Sequence, residues 1–315
     1  MNNTKIITVF GATGAQGGGL VAAILADPNS GFKVRAVTRN LDSDKAKALQ
    51  EKGVEVVVAD IDDTASIKKV IEGSYGVYFV TFFWEHYSAE KEYQEVINFI
   101  EAVKDQNVKH IIWSTLEDTR NWVPLDDDSI PTLQGKYKVP HFDGKGAADQ
   151  LFVAAKLPVT FLRTSFYWDN FIHFGMGPQK GEDGHYYITF PMDDKKLAGM
   201  AAEDIGKCAY GIFKKGATLL NKTVGIVGEK LNGDEMAAKL SKALGIKVNY
   251  NNVTPETYRS FGFPGADDLG NMFQFKRDFN NDFNSIRNEE LSVELNPEMQ
   301  NFENWLTINA KRIPL

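Results

Sequence analysis

Short apolar runs alternate with amphipathic segments through the first half of the chain. Residues 6–10 (IITVF) form a continuous apolar run, which is typical of a buried parallel strand, and LVAAILAD follows with helical spacing. The same alternation repeats further along, and it predicts βαβ units and a doubly wound parallel sheet of Rossmann type, an α/β fold. The predicted strands lie at residues 6–10, 33–39, 54–60, 76–81, 109–115 and 159–165.

The alternation stops after the fifth predicted strand. Residues 116–140 contain prolines and three consecutive aspartates and predict a long loop, of a length that is usually functional or mobile. Further strands are predicted at 185–190 and 224–229, and the chain from about residue 234 is mainly helical. We therefore expect a dinucleotide-binding domain and a smaller, mainly helical α/β lobe. The domain covers 1–158 with returning strands around 159–165 and 224–229, and the lobe covers about 166–200 and 230–315.

The break after the first predicted strand is rich in glycine. Gly11, Gly14 and Gly17 recur between a buried strand and a helix, which is the context that a dinucleotide-binding fingerprint requires. Gly11 permits a tight turn, Gly14 lets backbone N–H groups reach a pyrophosphate, and Gly17 lets the helix pack closely. The helix N-terminus adds aligned donors and a partial positive charge. A glycine-rich turn without a ligand is the alternative.

The end of the second predicted strand indicates which dinucleotide is bound. NAD sites usually carry an acidic residue there, which binds the ribose 2′-hydroxyl. This chain has Arg39 and Asn40, with no carboxylate before Asp42. We expect Arg39 to bind a 2′-phosphate in bidentate fashion, with added charge from Lys45, unless Arg39 is only a solvated surface residue. Asp60 is placed to accept from the adenine amino group or to cap the next helix. The expected cofactor is NADP(H).

Composition and charge narrow the class of protein. The 315 residues are 43% hydrophobic and 24% charged, which is ordinary for a folded protein, and the net charge of −7 argues against a broad nucleic-acid-binding face. The single cysteine, Cys208, fits a reducing compartment. Strand-like sequence from Lys5 leaves no room for a signal peptide, and no apolar run approaches the ~20 residues of a membrane span. No histidine shows metal-ligand spacing, so no metal is expected. We expect a cytoplasmic protein, with nuclear entry left open.

Several segments together resemble the NmrA-like family of atypical short-chain dehydrogenases/reductases. They are GATGAQGG (11–18), VTRN (37–40), Asp60, TFFW (81–84) and HFDGKG (141–146). Residues 263–273 (FPGADDLGNMF) are similar to the branch regarded as NADPH sensors. The resemblance covers nearly the whole chain. It implies NADPH/NADP⁺ binding and regulation through a protein partner, such as a metabolic enzyme or a transcription regulator, by a monomer or a homodimer.

The resemblance also implies roles for individual positions. It places the glycine loop at the pyrophosphate, the end of the second strand at the 2′-phosphate, and the third strand's end at the adenine. Residues 81–83 would follow the adenosine and ribose, Lys145 would bind the nicotinamide ribose, and residues 166–170 would lie near the nicotinamide. The implied cofactor-binding residues are Gly11, Ala12, Thr13, Gly14, Ala15, Gln16, Gly17, Arg39, Asn40, Lys45, Asp60, Ile61, Thr81, Phe82, Phe83, Lys145, Phe166, Tyr167, Trp168 and Asn170.

Conventional short-chain reductases use a tyrosine and a lysine four residues apart on one helix face. The matching positions here are His141 and Lys145, so the usual proton donor is missing. His141 or Lys145 could replace it, or a quinone could take its proton from water, although we favour a structural or cofactor-lining His141. Ser114 holds the place of a substrate-orienting serine or is a plain strand-end hydroxyl.

The sequence therefore predicts an NADP(H)-binding regulatory redox sensor without conventional dehydrogenase activity. The alternative is an NADPH-dependent reductase of the quinone or isoflavone-reductase-like type, which would use Lys145 or His141.

Overall fold

The computed structural model describes residues 4–315 and contains a seven-stranded parallel sheet. Its strands are β1 (Lys5–Val9), β2 (Phe32–Thr38), β3 (Glu55–Val58), β4 (Gly76–Phe79), β5 (His110–Thr115), β6 (Val159–Arg163) and β11 (Thr223–Gly225). They lie in the order β11-β6-β5-β4-β1-β2-β3, and all neighbours run parallel. The order reverses between β1 and β4. A crevice therefore opens there at the carboxyl ends, where such sheets bind ligands.

Helices cover both faces of this sheet because alternate residues of its strands enter two separate cores. Tyr78 and Ile112 face a core shared with α1 (Ala15–Ala26) and α7 (Ala202–Lys215). Phe79 and Trp113 face the opposite core. That second core is completed by α3 (Thr64–Ile71), α4 (Ala89–Val103) and α5 (Pro140–Ala154), while α2 (Asp44–Glu51) joins β2 to β3.

A smaller lobe carries two three-stranded sheets, in the orders β12-β10-β7 and β13-β9-β8. Their strands are β7 (Phe166–Tyr167), β8 (Gln179–Lys180), β9 (Tyr186–Thr189), β10 (Leu197–Met200), β12 (Glu229–Leu231) and β13 (Val248–Asn251). The other helices are α6 (Asn170–His173), α8 (Gly233–Leu244), α9 (Pro255–Arg259), α10 (Ala266–Asp278), α11 (Asn280–Ser285), α12 (Glu289–Leu295) and α13 (Phe302–Asn309). Trp168, Phe190, Phe273 and Trp305 lie in the aromatic core of this lobe.

The predicted Rossmann-type sheet is confirmed. The strand predicted at 224–229 does return to it, but its extent is wrong. That apolar run is divided between β11 in the large sheet and β12 in the small one. The chain crosses between the sheets at Gly228, where a side chain would come within 2.6 Å of the Gln300 carbonyl oxygen. The mainly helical end of the chain is also interrupted by β13. Within residues 4–315, no helix is both long and apolar enough to cross a bilayer.

Candidate functional site

The glycine loop lies at the carboxyl end of β1, at the crevice where the strand order reverses. Gly11 has a φ of +67°, a conformation that side chains disfavour, and its carbonyl oxygen accepts the Gly14 N–H at 2.9 Å. A Cβ on Gly17 would lie 2.4 Å from that same oxygen, so only glycine lets α1 begin so close to the turn. In the described chain no side chain caps α1, and its first turn has no acidic residue. The loop therefore fits an anionic pyrophosphate.

The end of β2 supplies positive charge beside the loop. The Arg39 side chain is 68% exposed, and its guanidinium pairs with the Glu85 carboxylate. Lys45 donates to the Thr13 carbonyl oxygen at 3.1 Å, which holds its ammonium against the glycine loop. Both cations fit a phosphate group, and a phosphate at Arg39 would compete with the Glu85 carboxylate.

Two further predicted contacts lie at the carboxyl end of β3. Asp60 is exposed, and its carboxylate accepts the Asp62 N–H at 2.9 Å, which closes a turn. Asp63, not Asp60, caps α3 by accepting the Ala65 N–H. The alternative of Asp60 as a helix cap is therefore wrong. Ile61 is partly buried, and its carbonyl oxygen accepts from Asn98 at 3.2 Å.

The Gln16 side chain joins the glycine loop to three hydroxyl groups on the other side of the crevice. Its amide oxygen accepts from the Tyr78 hydroxyl and from Ser114 Oγ at 2.8 Å, and its amide nitrogen donates to the Tyr167 hydroxyl at 2.7 Å. Burial raises the pKa of Tyr78 and raises the pKa of Tyr167 to about 12. Both phenols therefore stay protonated near neutral pH. The sequence missed Tyr78 because only the strand register shows which way it points.

Lys145 is buried at the same edge of the sheet. Its ammonium donates to Thr81 Oγ1 at 2.6 Å and to the Thr81 carbonyl oxygen at 3.2 Å, and it lies 2.8 Å from Glu92 Oε1. The Thr81 hydroxyl donates to the same oxygen of Glu92 at 2.7 Å. Lys145 and Thr81 were predicted to bind the cofactor, and the structure brings them into contact. Glu92 was not predicted, although helical spacing places it on the buried face of α4.

A second buried glutamate lies one turn further along α4. Burial and the charge of Glu92 raise the pKa of Glu95 to about 7. Its Oε1 lies 3.5 Å from His86 Nε2, and burial lowers the pKa of His86. The Ser88 N–H donates to His86 Nδ1 at 3.1 Å, so a neutral His86 carries its proton on Nε2, facing Glu95.

His141 is tied to the smaller lobe. Its Nδ1 pairs with the Asp268 carboxylate of α10, and its backbone N–H donates to the other oxygen of that carboxylate at 3.2 Å. The imidazole packs against Phe83 and Trp84, with ring centroids 5.8 and 4.8 Å apart. The sequence missed Asp268 as a partner because it lies far away in the chain, in the segment noted only for its resemblance.

An open cleft of about 290 Å³ lies beside this pair. Its walls come from the segment after β4, the long loop before α5 and the beginning of α10. The lining residues are Phe83, Tyr87, Leu133, Gln134, Pro140, Pro264, Gly265, Asp267 and Asp268. Phe82 is 55% exposed, whereas Phe83 is buried. No metal-ligand cluster occurs among residues 4–315.

The segment predicted to lie near the nicotinamide points in two directions. Tyr167 faces the crevice through its bond with Gln16. Phe166 and Trp168 face the opposite way because side chains alternate along a strand, and both are buried in the aromatic core of the smaller lobe. Of the predicted segment, it is therefore the Tyr167 side chain that faces the crevice, and the Phe166 and Trp168 side chains do not. Asn170 is partly buried at the first position of α6.

The loop before α5 is held by buried polar groups. The ammonium of Lys138, a fully buried residue, donates to the carbonyl oxygens of Asp127 and Ile130 at 2.6 and 2.9 Å. Asn271 of α10 donates to the carbonyl oxygens of Pro131 and Lys138. These bonds fix the loop against the smaller lobe without a ligand.

Known proteins resemble this chain along most of its length. Residues 3–306 match the family model described as NmrA-like family. The NmrA-like family domain-containing oxidoreductase FrzB of Cladobotryum sp is 27% identical over 297 residues, which cover 86% of this chain and 84% of FrzB.

Two solved structures show the same fold. The negative transcriptional regulator NmrA in complex with NADP has a TM-score of 0.77 at 20% identity, covering 99% of this chain and 98% of NmrA. The triphenylmethane reductase of Citrobacter sp. complexed with NADP(H) has a TM-score of 0.73 at 22% identity, covering 96% of this chain and 99% of the reductase. With the family match spanning nearly all of its residues, the chain belongs to the NmrA-like family.

Proposed function

We propose that this protein is an NADP(H)-dependent oxidoreductase in which Lys145 supplies the proton. The observation that carries this proposal is the position of Lys145, buried at the carboxyl edge of the sheet with its ammonium on Thr81 and Glu92. A lysine so placed holds a transferable proton where the fold binds its ligands. FrzB is named an oxidoreductase, and the Citrobacter reductase was solved with NADP(H), which supports this direction.

The dinucleotide is proposed to lie across the crevice. The uncapped first turn of α1 and the glycine loop would hold the pyrophosphate, and Arg39 and Lys45 would bind the 2′-phosphate. A reduced nicotinamide dinucleotide supplies a hydride when it is bound. Ser114 and Tyr167 would orient the substrate or the nicotinamide, because Gln16 fixes both hydroxyl groups.

The test is NADPH consumption with a panel of quinones and aldehydes, followed by its absorbance. We expect turnover by the wild-type protein and a loss of about 10²–10⁴-fold in kcat for Lys145→Ala, with NADPH still bound. Lys104→Ala is the matched control, because Lys104 is an exposed lysine that pairs with Glu101 at the end of α4. Tight NADPH binding without any turnover would overturn the proposal.

A regulatory redox sensor is the second candidate. The ion pair between Arg39 and Glu85 favours a response to cofactor binding, whereas discrimination between the two redox forms would come from contacts at the nicotinamide. A 2′-phosphate on Arg39 would release Glu85, which follows Phe83 and precedes Tyr87 in the wall of the cleft. Cofactor binding would then alter a surface that a protein partner can read. NmrA, which shares this fold, is a transcriptional regulator. Equal dissociation constants for NADPH and NADP⁺ would rule out sensing of the redox ratio by direct binding.

A further inference from the structure

Two buried carboxyl groups next to Lys145 each keep one oxygen without a partner. In the described chain, Glu92 Oε2 and Glu95 Oε2 are both buried and accept no hydrogen bond. An unpaired buried oxygen of a carboxylate is costly, and two such groups in one place double the cost. The two residues are three apart on α4, so their side chains are neighbours on one helix face.

We propose that Glu92 and Glu95 hold one proton between them, and that this proton restores Lys145 after Lys145 has protonated the substrate. The inference rests on the oxidoreductase function proposed above. One shared proton gives each unpaired oxygen a partner, because a protonated Glu95 can donate to the Glu92 carboxylate. It also removes the repulsion that two adjacent buried charges would produce.

The electrostatics agree with this assignment. The pKa of Glu95 is raised to about 7, first by burial and then by the charge of Glu92. The pair therefore gives up or takes up its proton in the neutral range, as carboxyl dyads do. The charged and titratable groups around Glu95 are Glu92, His86, Asp62, Lys91 and Lys145.

These groups form a row along α4, from the sheet edge to His86. Lys145 lies 2.8 Å from Glu92, Glu92 is the helix neighbour of Glu95, and Glu95 lies 3.5 Å from His86 Nε2. His86 ends the row: in the described chain its Nε2 is buried without a hydrogen-bond partner, and its Nδ1 accepts the Ser88 N–H.

The proton balance is simple. Lys145 would lose one N–H bond as the substrate oxygen gains an O–H bond. A bound reduced nicotinamide dinucleotide would supply a hydride to the carbonyl carbon, and the electron pair released from the C=O double bond would take the proton. The Glu92 carboxylate then takes the proton of Glu95 and passes a proton to the amine. A proton from solvent restores Glu95. Each turnover consumes one proton from solvent, and the row returns to its starting charge.

The first experiment detects the shared proton directly, without turnover. The infrared carbonyl band of protonated carboxylic acids is recorded across the neutral pH range for the wild-type protein and for Glu95→Gln. We expect the difference spectrum between the wild-type protein and Glu95→Gln to contain one carboxylic-acid band that disappears as the pH rises, with a midpoint near pH 7. Asp149, whose pKa burial also raises to about 7, contributes to both spectra and cancels. Glu101→Gln, an exposed glutamate on the same helix, should leave the band unchanged.

The second experiment tests the transfer to Lys145 by the pH dependence of kcat. We expect Glu95→Gln to lower kcat at neutral pH by about 10²-fold, the lower range for general acid catalysis, and to leave KM unchanged. It should also remove the titration near pH 7 from the kcat profile, which a merely structural role would not do.

The outcomes separate this inference from the proposed function. A wild-type protein that binds NADPH but turns nothing over refutes the oxidoreductase function and the transfer to Lys145, while the infrared band still decides the shared proton. Turnover with an unchanged kcat profile in Glu95→Gln refutes the relay and leaves the oxidoreductase function intact. Absence of the band from the difference spectrum between the wild-type protein and Glu95→Gln refutes the shared proton.

Discussion

The ion pair between Arg39 and Glu85 makes a quantitative prediction about cofactor choice. Replacing Arg39 with alanine removes the proposed 2′-phosphate ligand, and replacing Glu85 with glutamine removes its competitor. Both side chains are largely exposed, at 68% and 48%, so their pairing contributes only about 0–1 kcal/mol. A hydrogen bond from the guanidinium to a phosphate is worth about 1.5–3 kcal/mol.

The difference between these two free energies sets the expected change in cofactor affinity for each substitution. Binding of the phosphate gains about 1.5–3 kcal/mol and gives up about 0–1 kcal/mol, so Arg39 contributes about 0.5–3 kcal/mol net. We therefore expect Arg39→Ala to weaken NADPH binding about 2- to 150-fold and to leave NADH binding unchanged. Glu85→Gln should tighten NADPH binding by up to about fivefold.

Calorimetric titration with NADPH and with NADH gives two dissociation constants for each protein. Lys33→Ala is the matched control, because it removes one positive charge from the other end of β2, about 20 Å away. Its NADPH affinity should equal that of the wild-type protein. Equal losses of NADPH and NADH affinity in Arg39→Ala, or no loss of either, would show that Arg39 does not bind a 2′-phosphate.

Three further predictions concern the framework of the site. Gly17→Ala should lower the thermal unfolding temperature and abolish dinucleotide binding, because the new Cβ would lie 2.4 Å from a carbonyl oxygen of the glycine loop. Gly18→Ala should be tolerated, because its Cβ would lie 3.4 Å from the nearest carbonyl oxygen. Arg287→Met should cost about 3–5 kcal/mol in chemical denaturation, because the buried Glu117 loses its close partner and keeps Arg163 at 3.9 Å, and adding Glu117→Gln should recover part of the loss.

Burial lowers the pKa of Lys276 to about 7, so the unfolded chain binds one more proton from about pH 7 to 10. The free energy of unfolding should therefore rise through that range by up to about 1.4 kcal/mol per pH unit. Lys276→Met should remove this rise, and the same change at an exposed lysine should not.

The parts of the molecule that the sequence predicts are those with local patterns. The large sheet and the glycine loop follow from apolar runs and from spacings within a few residues, and both occur where expected. Glu92 and Glu95 could be found only by asking why charged residues occupy the buried stripe of α4. Asp268 could not be found, because its pairing with His141 joins distant segments whose contact depends on the whole fold.

The run at 224–229 shows a different limit. An apolar run predicts a buried strand, but it does not reveal that one half pairs with β6 and the other half with β10. Likewise the aromatic residues from Phe166 to Trp168 read as one cluster, although strand geometry sends Tyr167 to the crevice and its neighbours to the other core. Composition identifies which residues are buried, but only the backbone path shows in which sheet or core they lie.

The late position of β11 in the chain has a consequence for biosynthesis. Until Thr223–Gly225 leave the ribosome, β6 is an open edge with unpaired N–H and C=O groups, and the intervening residues of the smaller lobe still lack their partners from α10 and α13. At ordinary elongation rates this exposure lasts for seconds. Nascent chains that stop before Thr223 should therefore bind chaperones and be cut readily by proteases. Resistance to proteolysis should appear only when nearly the whole protein has been made.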